Sequence, residues 1–249
     1  MIKDYKAKLS KKVWVSDSII KMEFNLVDMT EIEFEAGQFI NIILPNKVAR
    51  AYSIASSPNN KMWFELVIGY YEGGKASEYF KALNLGDEIS FKCPFGRFIY
   101  VNDKVENVVM IGTGTGIAPV KSVIDMIAFE KTNGVLNELP KIYVFEGFRF
   151  QKDVVYEEEF KKHQFDGIIN YELWLSREDS PKYTGNKGRV TVGLSKLSLN
   201  WSNTSVYICG NKEIVLSLKE YFLKKGVIED KIHFERFNLL NLAFELSNP

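Results

Sequence analysis

Val108-Val109-Met110-Ile111-Gly112-Thr113-Gly114-Thr115-Gly116-Ile117-Ala118-Pro119 is the stretch that decides the fold of the second half of the chain. Four consecutive apolar residues suit a strand buried on both faces. Glycines then turn the chain, and Pro119 falls in the first turn of a helix, where its missing N–H has no role. The helix presents Val120, Val123, Ile124, Ile127 and Ala128 along one face, the spacing of a buried stripe. Further along, residues 142–145, 169–175 and 206–209 repeat the apolar strand, and residues 153–163 and 213–225 read as helices. Continuous apolar strands alternating with helices predict an α/β domain on a parallel, doubly wound sheet.

Towards the N-terminus the period changes to two. In Ile20-Lys21-Met22-Glu23-Phe24-Asn25-Leu26, apolar and polar residues alternate as a half-buried strand requires. Similar runs occupy 38–44, 51–55, 61–71 and 88–93, separated by turn formers such as Pro58-Asn59-Asn60, Gly73-Gly74 and Gly86-Asp87. One short helix is expected at 77–83. Many strands and few helices predict an antiparallel six-stranded β-barrel, which removes exposed edges. The expected organisation is therefore a two-domain chain: a barrel over 1–103, an α/β domain over 104–237 and a C-terminal extension over 238–249.

Composition narrows the function classes. The 249 residues are 46% hydrophobic and 26% charged, which disfavours disordered and fibrous classes. Lys+Arg and Asp+Glu are 32 each, and the 13 basic side chains up to Asp103 are matched by 13 acidic ones. Neither half is a charged arm, so no field argues for nucleic acid or an anionic membrane. Cys93 and Cys209 are too few for a four-cysteine iron–sulfur or zinc site, and His163 and His233 add no ligand set, so no metal is expected. The N-terminus has no apolar signal region and no run of about 18 apolar residues exists, which points to a cytoplasmic protein with free thiols and no membrane insertion.

Three clusters carry chemistry. Gly112–Gly116 lies where a strand meets a helix N-terminus, a place where backbone N–H groups favour phosphate; glycines there also make ordinary tight turns. Arg50-Ala51-Tyr52-Ser53 offers a guanidinium fork, a stacking face and a small hydroxyl on one strand, although four such residues also suit a plain exposed strand. Gly73-Gly74-Lys75-Ala76-Ser77 opens the short helix and forms a second anion site of the same kind.

Taken in order over roughly residues 5 to 237, these clusters resemble the ferredoxin–NADP reductase family. The resemblance implies that Arg50, Ala51, Tyr52 and Ser53 hold FAD. In it Arg50 meets the pyrophosphate, Tyr52 stacks on the isoalloxazine and Ser53 bonds near N5. It implies a second pyrophosphate clamp at Gly74, Lys75, Ala76 and Ser77, with Thr115 and an aromatic shield from Phe237 completing the FAD site. Gly112, Thr113, Gly114 and Gly116 match the family's nicotinamide-cofactor loop. Cys209 and Gly210 match its Cys-Gly pair beside the nicotinamide, and Glu235 its C-terminal proton relay.

Arg149, Ser176, Arg177 and Arg189 stand where NADPH-dependent members grip the 2′-phosphate. No acidic residue stands at Ser176 to meet a ribose hydroxyl, the feature of an NAD site. The implied activity is hydride transfer between NADPH and FAD, with electrons passed to a separate protein acceptor such as ferredoxin or flavodoxin. Ser53, Cys209 and Glu235 are its catalytic candidates. An NADH-dependent reductase component of a multicomponent oxygenase stands as an alternative, as does a non-catalytic nucleotide-binding regulatory module. The chain departs from the family ending after Phe237, where the extension carries Leu239, Leu240, Leu242, Phe244 and Leu246.

Overall fold

A computed structural model describes residues 1–237; the aliphatic extension after Phe237 lies outside the described residues. Six antiparallel strands come first: β1 (Lys3–Trp14), β2 (Ile19–Leu26), β3 (Phe39–Ile43), β4 (Ala49–Ser53), β5 (Trp63–Gly69) and β6 (Glu88–Phe95). Helix α1 (Lys75–Ala82) interrupts them between β5 and β6. The sheet order is β4-β3-β6-β1-β2-β5, and its two edges come together through an isolated bridge between Ile54 and Leu66. Just beyond, the Ala55 N–H donates to the Glu65 carbonyl at 2.8 Å. The sheet is thus curled into a half-barrel.

Alternation explains its interior. Met22, Phe24, Ile40, Ile42, Phe64, Leu66, Ile89 and Phe91 point inwards and are fully or almost fully buried. Phe64 stacks on Phe24 at 5.3 Å between centroids and meets Phe91 edge-on at 5.0 Å. Phe80 of α1 joins the same cluster and plugs the barrel end.

The second half follows β7 (Asn107–Thr113), α2 (Ile117–Thr132), β8 (Lys141–Phe148), α3 (Glu157–Phe165), β9 (Asn170–Leu175), β10 (Asn186–Lys187), α4 (Val190–Lys196), β11 (Thr204–Asn211), α5 (Lys212–Lys225) and β12 (Ile232–Phe237). All its strand pairings are parallel, in the order β10-β9-β8-β7-β11-β12. The chain leaves β7 towards β8 on one side and later returns to β11 on the other. The Gly112–Gly116 turn therefore sits at a topological switch point, where open α/β sheets bind ligands. Helices α2 and α3 pack on one face, α4 and α5 on the other. No helix among the described residues is long and apolar enough to cross a membrane.

The core under α2 does not stop at its own half. Ile19, Ala55, Val67 and Phe98 of the first half belong to the same apolar cluster as Ile117, Val144, Phe148 and Tyr207. The two sheets therefore meet along a continuous apolar seam. Both cysteines are buried and unbridged.

Phe64→Ala should cost about 3–5 kcal/mol, because it deletes a ring from a dense aromatic cluster that cannot collapse around the void. Urea unfolding should show a lower midpoint with an unchanged slope. A loss below about 1 kcal/mol would mean that the barrel core is not consolidated at this ring.

Candidate functional site

A cleft of about 1280 Å³ runs between the half-barrel and the carboxyl ends of the parallel strands. Its first wall is β4 with the mouth of α1. Arg50 is half-buried and its guanidinium donates to the Ala49 carbonyl at 3.1 Å. Ala51 is exposed and Ser53 buried, and both line the cleft. Tyr52 lines it too, its ring edge-on to Phe80 at 4.9 Å and its phenol raised by burial.

The segment expected to form a second clamp, Gly74–Ser77, opens on a turn. The Gly74 N–H donates to the Tyr71 carbonyl and the Ser77 hydroxyl accepts from the Tyr71 N–H, both at 3.0 Å. The Gly74 N–H and one Ser77 lone pair are therefore used internally. The N–H groups free to face an anion are those of the first turn of α1, which have no intrahelical acceptor. Ala76 lines the cleft with Gly74 and Ser77, whereas Lys75 is exposed off the wall.

The opposite wall begins at the glycine turn. Its glycines divide by role. A Cβ on Gly112 would lie 2.6 Å from the Ile117 Cα, and one on Gly116 would lie 2.5 Å from the Cys209 carbonyl oxygen. These two residues let α2 start hard against β7 and β11, and they sit behind the wall. Gly114 differs: its φ is +55° and nothing lies within 4 Å of where its Cβ would be. With Thr113 and Thr115 it forms the open floor of the cleft.

Arg149 after β8, Arg177 after β9 and Arg189 before α4 are all exposed along one end of the cleft. The Arg177 N–H donates to the Arg149 carbonyl at 2.9 Å, so the first two are neighbours. Ser176 joins them, its N–H and hydroxyl both donating to the Phe148 carbonyl, at 2.9 and 3.3 Å. Among the described residues none of the three arginines has an ion-pair partner. Exposed guanidinium forks of this kind have the donor geometry that matches phosphate oxygens.

At the other end Glu235 of β12 reaches Ser53, whose hydroxyl donates to it at 3.4 Å. Burial raises the Glu235 carboxyl to about 7, and the Ser53 hydrogen bond opposes that shift. Phe237, two residues on, lines the same end and packs on the seam. Cys209 stands opposite Glu235 in register, but it is fully buried and lies behind the cleft wall. Burial, and next the charge of Glu235, push its thiol far up. Gly210 is likewise behind the wall, pressed on Thr113.

Several cleft residues carried no sequence signal. Phe39, Tyr70, Tyr71, Phe150, Trp174 and Arg236 all line it. Tyr70 and Tyr71 directly precede Gly73-Gly74, and Phe150 follows Arg149, so adjacency to a glycine or arginine cluster was the available clue.

The comparisons agree with this geometry. The oxidoreductase FAD-binding domain family matches residues 6–100 and the oxidoreductase NAD-binding domain family matches residues 110–219. A ferredoxin–NADP reductase B of Sorangium cellulosum is 30% identical over 235 residues, covering 90% of this chain and 93% of that protein. This chain belongs to the ferredoxin–NADP reductase family. The phenol hydroxylase P5 protein of Acinetobacter pittii is 28% identical, covering 95% of this chain and 66% of that protein. Among solved structures, ferredoxin–NADP⁺ reductase of Plasmodium falciparum superposes with a TM-score of 0.76 at 26% identity, covering 94% of this chain and 96% of that one. An Amycolatopsis cytochrome P450 reductase shares the fold with a TM-score of 0.83 at 22% identity, covering 95% and 70%. The protein is an NAD(P)H-dependent flavoprotein reductase that binds FAD and a pyridine nucleotide.

Two outcomes test the site. Arg50→Ala should lower FAD occupancy, since a charge-assisted hydrogen bond is worth about 1.5–3 kcal/mol; full occupancy at unchanged affinity would place the pyrophosphate elsewhere. Glu235 gives a pH signature. Its folded pKa of about 7 exceeds the ordinary 4.5, so the folded state holds the proton more tightly than the unfolded state. Stability is then undiminished below pH 4.5, falls as pH rises to about 7 and is flat above, a loss of at most about 3 kcal/mol. Chemical unfolding of Glu235→Gln across pH 4 to 8 should lack this decline. An identical decline in the variant would assign it to another group.

Proposed function

We propose that this protein carries a hydride from NADPH to FAD and delivers electrons to a separate protein acceptor, ferredoxin or flavodoxin, in the cytoplasm. The observation that carries the NADPH part is the group of three exposed guanidiniums, Arg149, Arg177 and Arg189, without ion-pair partners among the described residues, at one end of the cleft. A 2′-phosphate is close to a dianion, and the planar fork of arginine matches its oxygens. The Plasmodium relative was solved with 2′P-AMP, which carries that phosphate.

FAD, when bound, accepts two electrons as a hydride and passes them on singly. This chain supplies binding, orientation and one titratable group. Arg50 and the first turn of α1 take the flavin pyrophosphate, Tyr52 gives a stacking face, Thr115 meets the flavin, and Thr113 and Gly114 receive the nicotinamide cofactor. Ser53 and Glu235 hold a proton at the far end of the cleft, where a carboxyl near 7 exchanges protons at physiological pH. Cys209 is fully buried behind the wall, where its backbone carbonyl lies against Gly116.

A separate acceptor is supported by the cysteines of these 249 residues, since Cys93 and Cys209 are both buried and 116 residues apart and do not make a four-cysteine iron–sulfur ligand set. Free thiols fit a reducing compartment. A second acceptor class, an oxygenase component, is supported by the toluate 1,2-dioxygenase electron transfer component of Pseudomonas putida, 26% identical over 94% of this chain.

The deciding measurement is the visible spectrum before and after anaerobic NADPH: flavin bands should be present and should bleach. Comparing kcat/KM for both nucleotides in Arg177→Ala and Arg189→Ala tests the preference. Loss of one contact should cost NADPH about 1.5–3 kcal/mol, roughly 10- to 150-fold, and leave NADH almost unchanged. Equal losses for the two, or a wild type that prefers NADH, would defeat the NADPH assignment.

A further inference from the structure

One polar cluster is set into the apolar seam, and Tyr156 is its centre. The residue is buried, and its φ of +67° is a left-handed backbone that a bulky side chain rarely adopts. Such a conformation persists only where the surroundings over-determine it. The phenol donates to the Glu65 carboxylate on β5. The Lys21 ammonium of β2 lies 4.3 Å from the centroid of the Tyr156 ring, and that of Lys121 on α2 lies at 4.8 Å. Lys21 is also 3.6 Å from Glu65 and 3.7 Å from Glu159 of α3, and Lys121 is held by Asp125 at 2.5 Å. Beside them the Ser56 hydroxyl accepts from the Glu65 N–H at 3.1 Å, while the Ser56 carbonyl accepts from the Ser122 hydroxyl at 2.7 Å.

The segments joined here are those that carry the cleft walls. Ser56 follows three residues after Ser53, the end of the Arg50–Ser53 strand. Lys121 and Ser122 lie about one and a half turns into α2, whose first turn follows closely on the Thr113–Thr115 floor. The entry to α3 continues from Arg149. We propose that Tyr156 and Glu65 are positioning residues for hydride transfer, fixing the flavin wall and the nicotinamide wall at the separation the reaction needs. This rests on the reading that the cleft holds both cofactors. The hydride leaves the reduced nicotinamide with its electron pair and is taken up by the flavin. No atom of the cluster is exchanged. The cluster acts through distance, and a displacement near 1 Å at reacting atoms costs about 100-fold.

The test uses the purified holoprotein. Tyr156→Phe keeps the ring and removes the O–H; Glu65→Gln keeps an acceptor for it. Stopped-flow bleaching at saturating NADPH should slow by about 10- to 100-fold in Tyr156→Phe. FAD occupancy, the Kd for NADP⁺ and the rate at which pre-reduced protein reduces ferricyanide should be unchanged. Glu65→Gln should retain most of the wild-type bleaching rate. If Tyr156→Phe does not fold, Lys21→Met, which strips one ammonium from the rim of the cluster, carries the same comparison. Unchanged bleaching, or equal losses in bleaching and in ferricyanide reduction, would overturn the positioning role. A wild type that neither NADPH nor NADH bleaches would overturn the reading of the cleft, and this proposal with it.

Discussion

Helix α2 begins in direct contact with two strands, and the rest of the structure depends on that contact. A single methyl on Gly112 would strike the Ile117 backbone, and one on Gly116 would strike the Cys209 carbonyl. Because both positions lack a side chain, the helix starts at the switch point instead of beyond it. Its N-terminal end then lies beside the cleft floor of Thr113, Gly114 and Thr115, at the end of the helix that carries partial positive charge. Its second turn is brought onto the half-barrel, where Ser122 bonds to Ser56 and Val120, Val123 and Ile124 enter the shared core. One close approach thereby sets both the cleft floor and the junction.

The cleft is electrostatically uneven although the chain has no net charge. At one end three arginines stand exposed without carboxylate partners among the described residues, and at the other burial raises a single carboxyl to about 7, so that it titrates near neutral pH. The first arrangement favours phosphate and is softened by salt, because exposed charges are screened over about 8 Å at physiological ionic strength. The second is shielded from salt, since its shift comes from burial. Binding and proton handling thus answer to different solution variables, and the two ends of the site are separable by experiment.

Strand and helix types were legible where hydrophobic periodicity was strong, and both sheets follow from it. The pattern failed where it was diluted. β1 reads KDYKAKLSKKVW; its inward side chains include small Ala7, and lysines cover its outer face, so the alternation is masked by charge. β12, IHFERF, is a partly exposed edge strand with little burial to declare it. α4, VTVGLSK, has three β-branched residues and a glycine, yet packing of Val190 and Leu194 on the sheet overrides that preference. Candidate site residues were readable as glycine and arginine clusters. Which of them face the ligand was not, because facing is decided by contacts between distant segments. Cys209 and Gly116 illustrate this: their mutual packing places both behind the wall. Tyr156 had no local signal at all, since its partners Glu65 and Lys21 lie 91 and 135 positions away in sequence.

The junction combines two kinds of force with different consequences. Apolar contact among Val67, Phe98, Ile117 and Phe148 supplies attraction that is nearly indifferent to sliding, because burial scales with area and not with direction. A hydrogen bond weakens steeply when its angle departs from linear, so it resists sliding while adding little net attraction. Placing Glu65, Tyr156, Ser56 and Ser122 inside the apolar seam gives the interface a fixed register at a point where water cannot substitute for a lost partner. A reductase whose two cofactor walls belong to different sheets needs that register more than it needs further affinity between them. The buried polar cluster is therefore understood through the geometry of the cleft, and the apolar seam through the stability of the fold.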